Sequence, residues 1–94
     1  MNFIVDKLYC LAMQDWKTDN NRLVKTCTFR SFEEAMAFMA AATPEITVLD
    51  HHPKWTNEYN LVHIELCTHS AGNRITEKDH ELAKKLDAVL TRFH

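Results

Sequence analysis

One run constrains most of what this chain can become. Val62, Ile64, Leu66 and Thr68 alternate with His63, Glu65, Cys67 and His69, the period of two that marks a strand with one apolar face. Upstream, Trp55, Asn57 and Tyr59 alternate with Lys54, Thr56 and Glu58. The two runs meet at Asn60-Leu61, and asparagine accepts the positive φ of a tight turn. A two-residue turn there pairs Tyr59 with Val62, Asn57 with Ile64 and Trp55 with Leu66, which gathers aromatic and aliphatic groups on one face. Glu58 then faces His63. Carried outward, the same register sets His52 opposite His69, with Cβ atoms roughly 4.5–5.5 Å apart. His51 begins on the other face unless the chain bends. Pro53 donates no backbone hydrogen bond, so this strand is an edge strand or starts there. Histidines therefore stand at both mouths of the hairpin, His51 and His52 entering and His69 leaving.

The rest of the chain reads as scaffold. Ile4, Leu8, Leu11 and Ala12 fall on one face of a short first helix, and Trp16 follows. Asp19-Asn20-Asn21 is turn chemistry. Leu23 to Phe29 reads as a strand with Leu23, Cys27 and Phe29 on one face and Val24, Thr26 and Thr28 on the other; Lys25 interrupts the apolar face, which predicts partial exposure or an edge. Ser31-x-x-Glu34 is a capping box opening a second helix, with Phe32, Ala35, Met36, Met39, Ala42 and Ile46 as its apolar stripe. Ala37, Ala40 and Ala41 leave the other side small enough for close helix–helix contact between subunits. Thr43-Pro44-Glu45 resembles a fresh helix start, because proline inside a helix costs about 3 kcal/mol, so a kink or restart is expected there. After the hairpin, Ser70 to Arg74 is a loop holding the only glycine, Gly72. Thr76-x-x-Asp79 caps a last helix whose buried stripe is Leu82, Ala83, Leu86, Val89, Leu90 and Phe93. Glu77, Lys78, Glu81, Lys84, Lys85 and Asp87 form its solvated face.

The order is thus α-β-β-α-β-β-α. The expected class is α+β, a four-stranded antiparallel sheet with helices packed on one face, in a single domain over residues 1–94. Such a chain buries roughly 60% or slightly more of its unfolded surface, enough for one modest core. Open sheet edges give copies a way to pair.

Composition narrows the function. The formal net charge is −2, with no run of Lys or Arg, which argues against direct nucleic-acid binding. No apolar run is long enough to span a bilayer, so no membrane partner is expected. Cys10, Cys27 and Cys67 are odd in number and form no C-x-x-C, as suits free thiols in a reducing compartment. Met1 to Val5 is followed at once by Asp6 and Lys7, which is no secretory leader. A cytoplasmic protein, or a processed organellar one, is expected.

His51, His52 and His69 admit three readings. They are surface or turn histidines without a task. They hold a metal with Cys67, although neighbouring His51 and His52 diverge on a strand and no H-x-x-x-H or C-x-x-C spacing supports such a site. Or they perform metal-free acid–base chemistry, since clustered imidazoles titrate near neutrality and can give and take protons in one turnover. No nucleophile with a partnered base and no phosphate-binding loop is visible, which leaves elimination on a small substrate, such as a dehydration.

The segment D-H-H-P-K-W-T-N-E-Y-N-L-V-H-I-E-L-C-T-H-S-A-G-N-R-I-T-E-K-D-H-E-L-A, together with Trp16 and S-F-x-x-A-x-x-F-M at Ser31 to Met39, resembles the pterin-4a-carbinolamine dehydratase family over nearly the whole chain. The resemblance implies an α+β subunit assembling into dimers or tetramers. It implies a lyase that dehydrates 4a-hydroxytetrahydropterin to quinonoid dihydropterin, recycling the cofactor of aromatic amino acid hydroxylases, with no metal and no cofactor of its own. The family's catalytic histidines fall on His51, His52 and His69, and Asp50, Cys67 and Thr68 join them in lining the pterin site. Asp79 matches the family's aspartate but reads locally as a helix cap. One position departs: the family's usual charged residue four places before the first histidine is Thr47 here, which hydrogen-bonds but brings no charge, and Glu45 is the nearby carboxylate expected to reach the site. Relatives also act as protein partners, a transcription coactivator and a Rubisco-assembly type. The alternative is therefore a weakly catalytic protein-binding module working through the helix at Ser31 to Ala42.

Overall fold

The computed structural model describes residues 16–93, so the expected first helix over Ile4 to Ala12 lies outside the described residues. Two hairpins build the sheet. Strand β1 (Lys17–Asp19) turns through Asn20 and Asn21, both at positive φ (53° and 63°), into β2 (Arg22–Thr28). Strand β3 (Lys54–Glu58) turns into β4 (Leu61–Leu66). The spatial order is β1-β2-β4-β3, all antiparallel, so β2 and β4 are central and β1 and β3 are edges. Two helices, α1 (Phe32–Leu49) and α2 (Glu77–Leu90), cover one face. Leu23, Cys27, Val62, Ile64 and Leu66 from that face meet Ala35, Phe38, Ala42, Leu82 and Leu86 in a single core. The α+β class and the four-stranded antiparallel sheet are as expected.

The second hairpin differs in register. Its ladder joins Glu58 to Leu61, Asn57 to Val62, Thr56 to His63, Trp55 to Ile64 and Lys54 to Glu65. The turn is therefore Tyr59-Asn60, one residue earlier than Asn60-Leu61, and each partner moves by two. Side-chain hydrogen bonds select it. Asn57 Nδ2 donates to the carbonyls of Tyr59 and Leu61 (3.0 and 2.9 Å), while Asn60 Nδ2 donates to the Phe29 carbonyl (2.9 Å). The Phe29 N–H returns a bond to the Asn60 carbonyl at 2.9 Å, so Asn60 ties the turn to the end of β2. Tyr59 takes the positive φ (52°) instead. A two-residue shift keeps every side chain on its expected face.

Lys25 is neither at an edge nor half exposed. It lies on the covered face of central strand β2 with 4% of its surface accessible. Its ammonium bonds Asp87 Oδ1 at 2.9 Å and stands 5.5 Å from the Trp16 ring centroid, and Trp16 Nε1 donates to both Asp87 oxygens (3.0 and 3.1 Å). Asp87 is therefore not part of a plain solvated face: it neutralises a buried lysine and pins Trp16 to α2.

Helix α1 also departs from its expected stripe. The buried residues are Ala35, Phe38, Ala42 and Ile46, while Phe32 is 42% exposed and Met36 and Met39 are half-buried. Phe38 takes the central place by stacking on Phe29 (centroids 5.2 Å apart), with Phe93 edge-on to both rings. Ser31 Oγ accepts from the Glu34 N–H at 3.1 Å, as a cap should, but the Glu34 carboxylate turns to the Arg30 N–H and guanidinium. The helix runs unbroken through Pro44. Pro44 and Ala40, whose carbonyl loses its helical partner, are both exposed residues on the outer side of the helix, and Thr43 Oγ1 bonds the neighbouring Met39 carbonyl at 2.8 Å. Helix α2 buries Leu82, Ala83, Leu86, Val89 and Leu90 as expected, whereas Phe93, the last residue of the expected stripe, lies past the helix in a 3₁₀ turn and is half-buried.

Candidate functional site

The site forms where three elements end together. Helix α1 stops at Asp50, whose left-handed conformation (φ 52°, ψ 42°) directs its N–H to the Thr47 carbonyl and swings the chain out. His51, His52 and Pro53 follow, and pairing in β3 begins only at Lys54. On the other side, β4 gives way at Cys67, and Thr68 forms a lone bridge to Arg74. His69 then opens a 3₁₀ turn, His69–Ala71, closed by Gly72 at φ 85° with its N–H on the His69 carbonyl. A residue with a side chain is strained at that φ.

These pieces line one cavity of about 290 Å³, and its walls include His51, His52, His69, Asp50, Cys67 and Thr68. All six residues expected to form a site are thus brought together. The pairing of His52 across from His69 does not occur: the ladder ends before them, and with the observed register His52 would fall across from Cys67. Ser70 and Lys78 join the lining and carry no signal in the sequence pattern. Glu45 does not reach the site, since its carboxylate stands 4.0 Å from Lys85 Nζ on α2. Thr47 is exposed and its hydroxyl donates to the Thr43 carbonyl at 3.0 Å.

The cavity is anchored by a buried carboxylate. Asp79 has no accessible surface. Its Oδ2 accepts from the Thr76 N–H and from Thr68 Oγ1, both at 2.8 Å, and its Oδ1 lies 2.6 Å from His51 Nε2. Thr68 and Thr76 hydroxyls meet at 2.6 Å. Asp79 therefore completes the Thr76 capping box and at the same time holds His51. Read as a cap alone, it is only half described. Burial pushes the Asp79 carboxyl up. The hydrogen bonds from His51, the Thr76 N–H and Thr68 together outweigh burial, and the group titrates below its ordinary range. An ionised carboxylate accepts, so His51 Nε2 donates to it. The sequence signals for this dual role are the match to the family's aspartate and its place three residues after Thr76, and the second alone reads as a cap.

His52 and His69 are exposed at the rim, whereas the His51 side chain is 12% accessible. His63 belongs elsewhere, on the open face of the sheet, where its Nδ1 meets Thr26 Oγ1 at 2.8 Å. Cys27 is a core residue whose thiol burial pushes up to about 11. Among the described residues, no three His, Cys, Asp or Glu are grouped to hold a metal ion, and no helix is long and apolar enough to cross a membrane. An arrangement of one largely buried acid–imidazole pair and two exposed imidazoles can deliver and remove protons on a small molecule.

Comparison with known proteins shows the family and the fold. The family model described as Pterin 4 alpha carbinolamine dehydratase matches residues 4–89. Provisionally named pterin-4-alpha-carbinolamine dehydratases from Opitutus terrae and Sulfolobus acidocaldarius are each 43% identical over 77 residues, spanning 82% of this chain and 79% and 84% of theirs. A crystal structure described as a transcriptional coactivator/pterin dehydratase from Brucella melitensis superposes with a TM-score of 0.76 at 32% identity, covering 95% of each chain. A pterin dehydratase-like protein described as a RuBisCO assembly factor in the alpha-carboxysome shares the fold, with a TM-score of 0.68 at 23% identity over 81% of this chain and 89% of its own.

Proposed function

This chain belongs to the pterin-4-alpha-carbinolamine dehydratase family, and on that premise we propose that it is a lyase that dehydrates 4a-hydroxytetrahydropterin to quinonoid dihydropterin, recycling a pterin cofactor in the cytoplasm. The reaction breaks the C4a–O bond, removes the N5 proton, forms C4a=N5 and releases water. The observation that carries the proposal is the 2.6 Å contact between His51 Nε2 and the buried Asp79 carboxylate, at the wall of a cavity that His52 and His69 also line. Asp79 fixes the His51 ring with Nε2–H toward itself. The free Nδ1 takes the N5 proton, and the resulting imidazolium stays beside a carboxylate. An imidazolium at the rim, His52 or His69, protonates the departing hydroxyl. Each well-placed group contributes on the order of 10²–10⁴ in rate. Asp50, Cys67 and Thr68 shape the pterin's seat. No step calls on a metal or a bound cofactor.

The test is stopped-flow absorbance of synthetic 4a-hydroxytetrahydropterin with and without the protein. Acceleration well above the buffer rate supports the dehydratase. A rate equal to buffer, in protein whose fold is verified by circular dichroism, rejects it.

A second reading is protein binding, through the outer side of α1. Phe32 and Val48 expose 42% and 80% of their surface there, and Ala37 and Ala40 between them are exposed and small. The same surface suits contact between copies in a homodimer or homotetramer. Light scattering of wild type beside Ala40→Glu tests it: a drop in assembled mass supports the surface, and an unchanged mass removes it.

A further inference from the structure

The histidine cavity shares part of its wall with a second one. A space of about 200 Å³ lies beside it, and His52, Cys67 and His69 line both. The far wall brings together Arg22 of β2, Glu65 of β4 and Lys54 of β3. Three adjacent strands supply them: Lys54 and Glu65 are ladder partners, and Arg22 Nη1 reaches Glu65 Oε1 at 3.0 Å. The wall therefore carries two cations and one carboxylate. That carboxylate is already matched by Arg22, whose guanidinium keeps further N–H donors free. Lys54 has no ion-pair partner among the described residues.

Pterin chemistry says what lies over this wall. Elimination occurs at C4a and N5, and C6 is bonded directly to N5. A ring that sets C4a and N5 against the histidines must send its C6 substituent past the same side chains. The shared wall of His52, Cys67 and His69 leads that substituent into the second space. Once there it meets a surplus of positive charge and a forked donor, which suit a carboxylate or phosphate.

Resting on the dehydratase reading above, we propose that the second cavity receives the C6 substituent of the pterin, and that Arg22 and Lys54 select a substituent ending in an anionic group. An apolar substituent gains nothing from either cation. A neutral hydroxylated one bonds them without the charge term. The preference is electrostatic and at the surface, so it weakens as salt is raised.

Oxidised pterins test this without turnover, because they cannot undergo the elimination and their fluorescence reports binding. Pterin-6-carboxylate and 6-methylpterin are titrated into wild type, Lys54→Gln and Arg22→Gln/Lys54→Gln at low and high salt. The expected result is about tenfold tighter binding of the carboxylate by wild type, a smaller ratio in Lys54→Gln, and near-equal binding in the double variant. Lys54 is exposed on an edge strand, so the single variant decides the matter if the Arg22 change disturbs the fold. Equal affinities in wild type, or a ratio that Lys54→Gln leaves intact, overturn the subsite. Charge-selective binding without dehydratase acceleration keeps the subsite and rejects the catalytic reading. Dehydration of the 6-methyl substrate without charge selection does the reverse, and failure of both binding and turnover rejects both.

Discussion

Nε2 of His51 lies 2.6 Å from Oδ1 of Asp79, a carboxylate with no accessible surface and two further donors on its other oxygen. The same side chain caps helix α2 and orients an imidazole in the site, so fold and chemistry meet in one residue. Its removal must register in both.

Asp79→Asn keeps the shape and removes the charge. The amide can present N–H to His51 and turn the ring's proton to the wrong nitrogen. Dehydration by this variant is expected to fall by roughly 10²-fold or more, with a far smaller change in pterin affinity. Asp79→Ala also strands Thr68, Thr76 and His51, and should cost about 3 kcal/mol in urea unfolding.

Acid should expose the same carboxylate. Its folded value lies below the ordinary 3.8, so the unfolded state binds more protons as pH falls. The stability it contributes is complete above that ordinary value and is lost as pH drops through the lower, folded one. Urea midpoints between pH 6 and pH 3 should therefore fall more steeply for wild type than for Asp79→Asn. Parallel curves would mean that the carboxylate is not held as the structure has it.

The Lys25–Asp87 pair gives an asymmetric expectation. Asp87→Asn leaves a lysine with 4% accessibility unpaired and should cost about 2 kcal/mol, less than a fully buried pair because Asp87 itself is partly open to water. Lys25→Met removes the buried charge and fills the same space, so it should be near neutral or stabilising. Thermal melts of both variants check the order.

Helix α1 can be tested by truncating two phenylalanines. Phe38→Ala empties the centre of a three-ring cluster and should cost about 3–5 kcal/mol, whereas Phe32→Ala, at a 42% exposed position, should stay within about 0.5 kcal/mol. The opposite order would place the buried stripe where the heptad-like spacing of Phe32, Met36 and Met39 puts it.

What was legible in the sequence follows from how each residue signals. The β3–β4 hairpin announces its faces because alternation has period two, but a shift of two residues leaves that pattern unchanged. The register was decided by amide hydrogen bonds of Asn57 and Asn60 that alternation does not encode. Lys25 breaks an apolar face and so suggests exposure; only its distant partners Trp16 and Asp87 make burial tolerable. Pro44 signals a break that the fold avoids by keeping it on the solvent side of α1. Six of the eight cavity residues can be picked out because they cluster at the hairpin's open end and fit a family pattern. Asp79 matches the family pattern, but its local spacing reads as a cap, since its contact with His51 spans 28 residues of sequence. Lys78 and Ser70 gave no signal because they reach the cavity through the loop and helix start that close it.

The most direct measurement is the stopped-flow rate of water loss from 4a-hydroxytetrahydropterin, wild type beside His51→Ala and His69→Ala. The dehydratase account predicts a fast wild type and a fall of roughly 10²–10⁴ in each variant. A wild type no faster than buffer, or variants as fast as wild type, would contradict it.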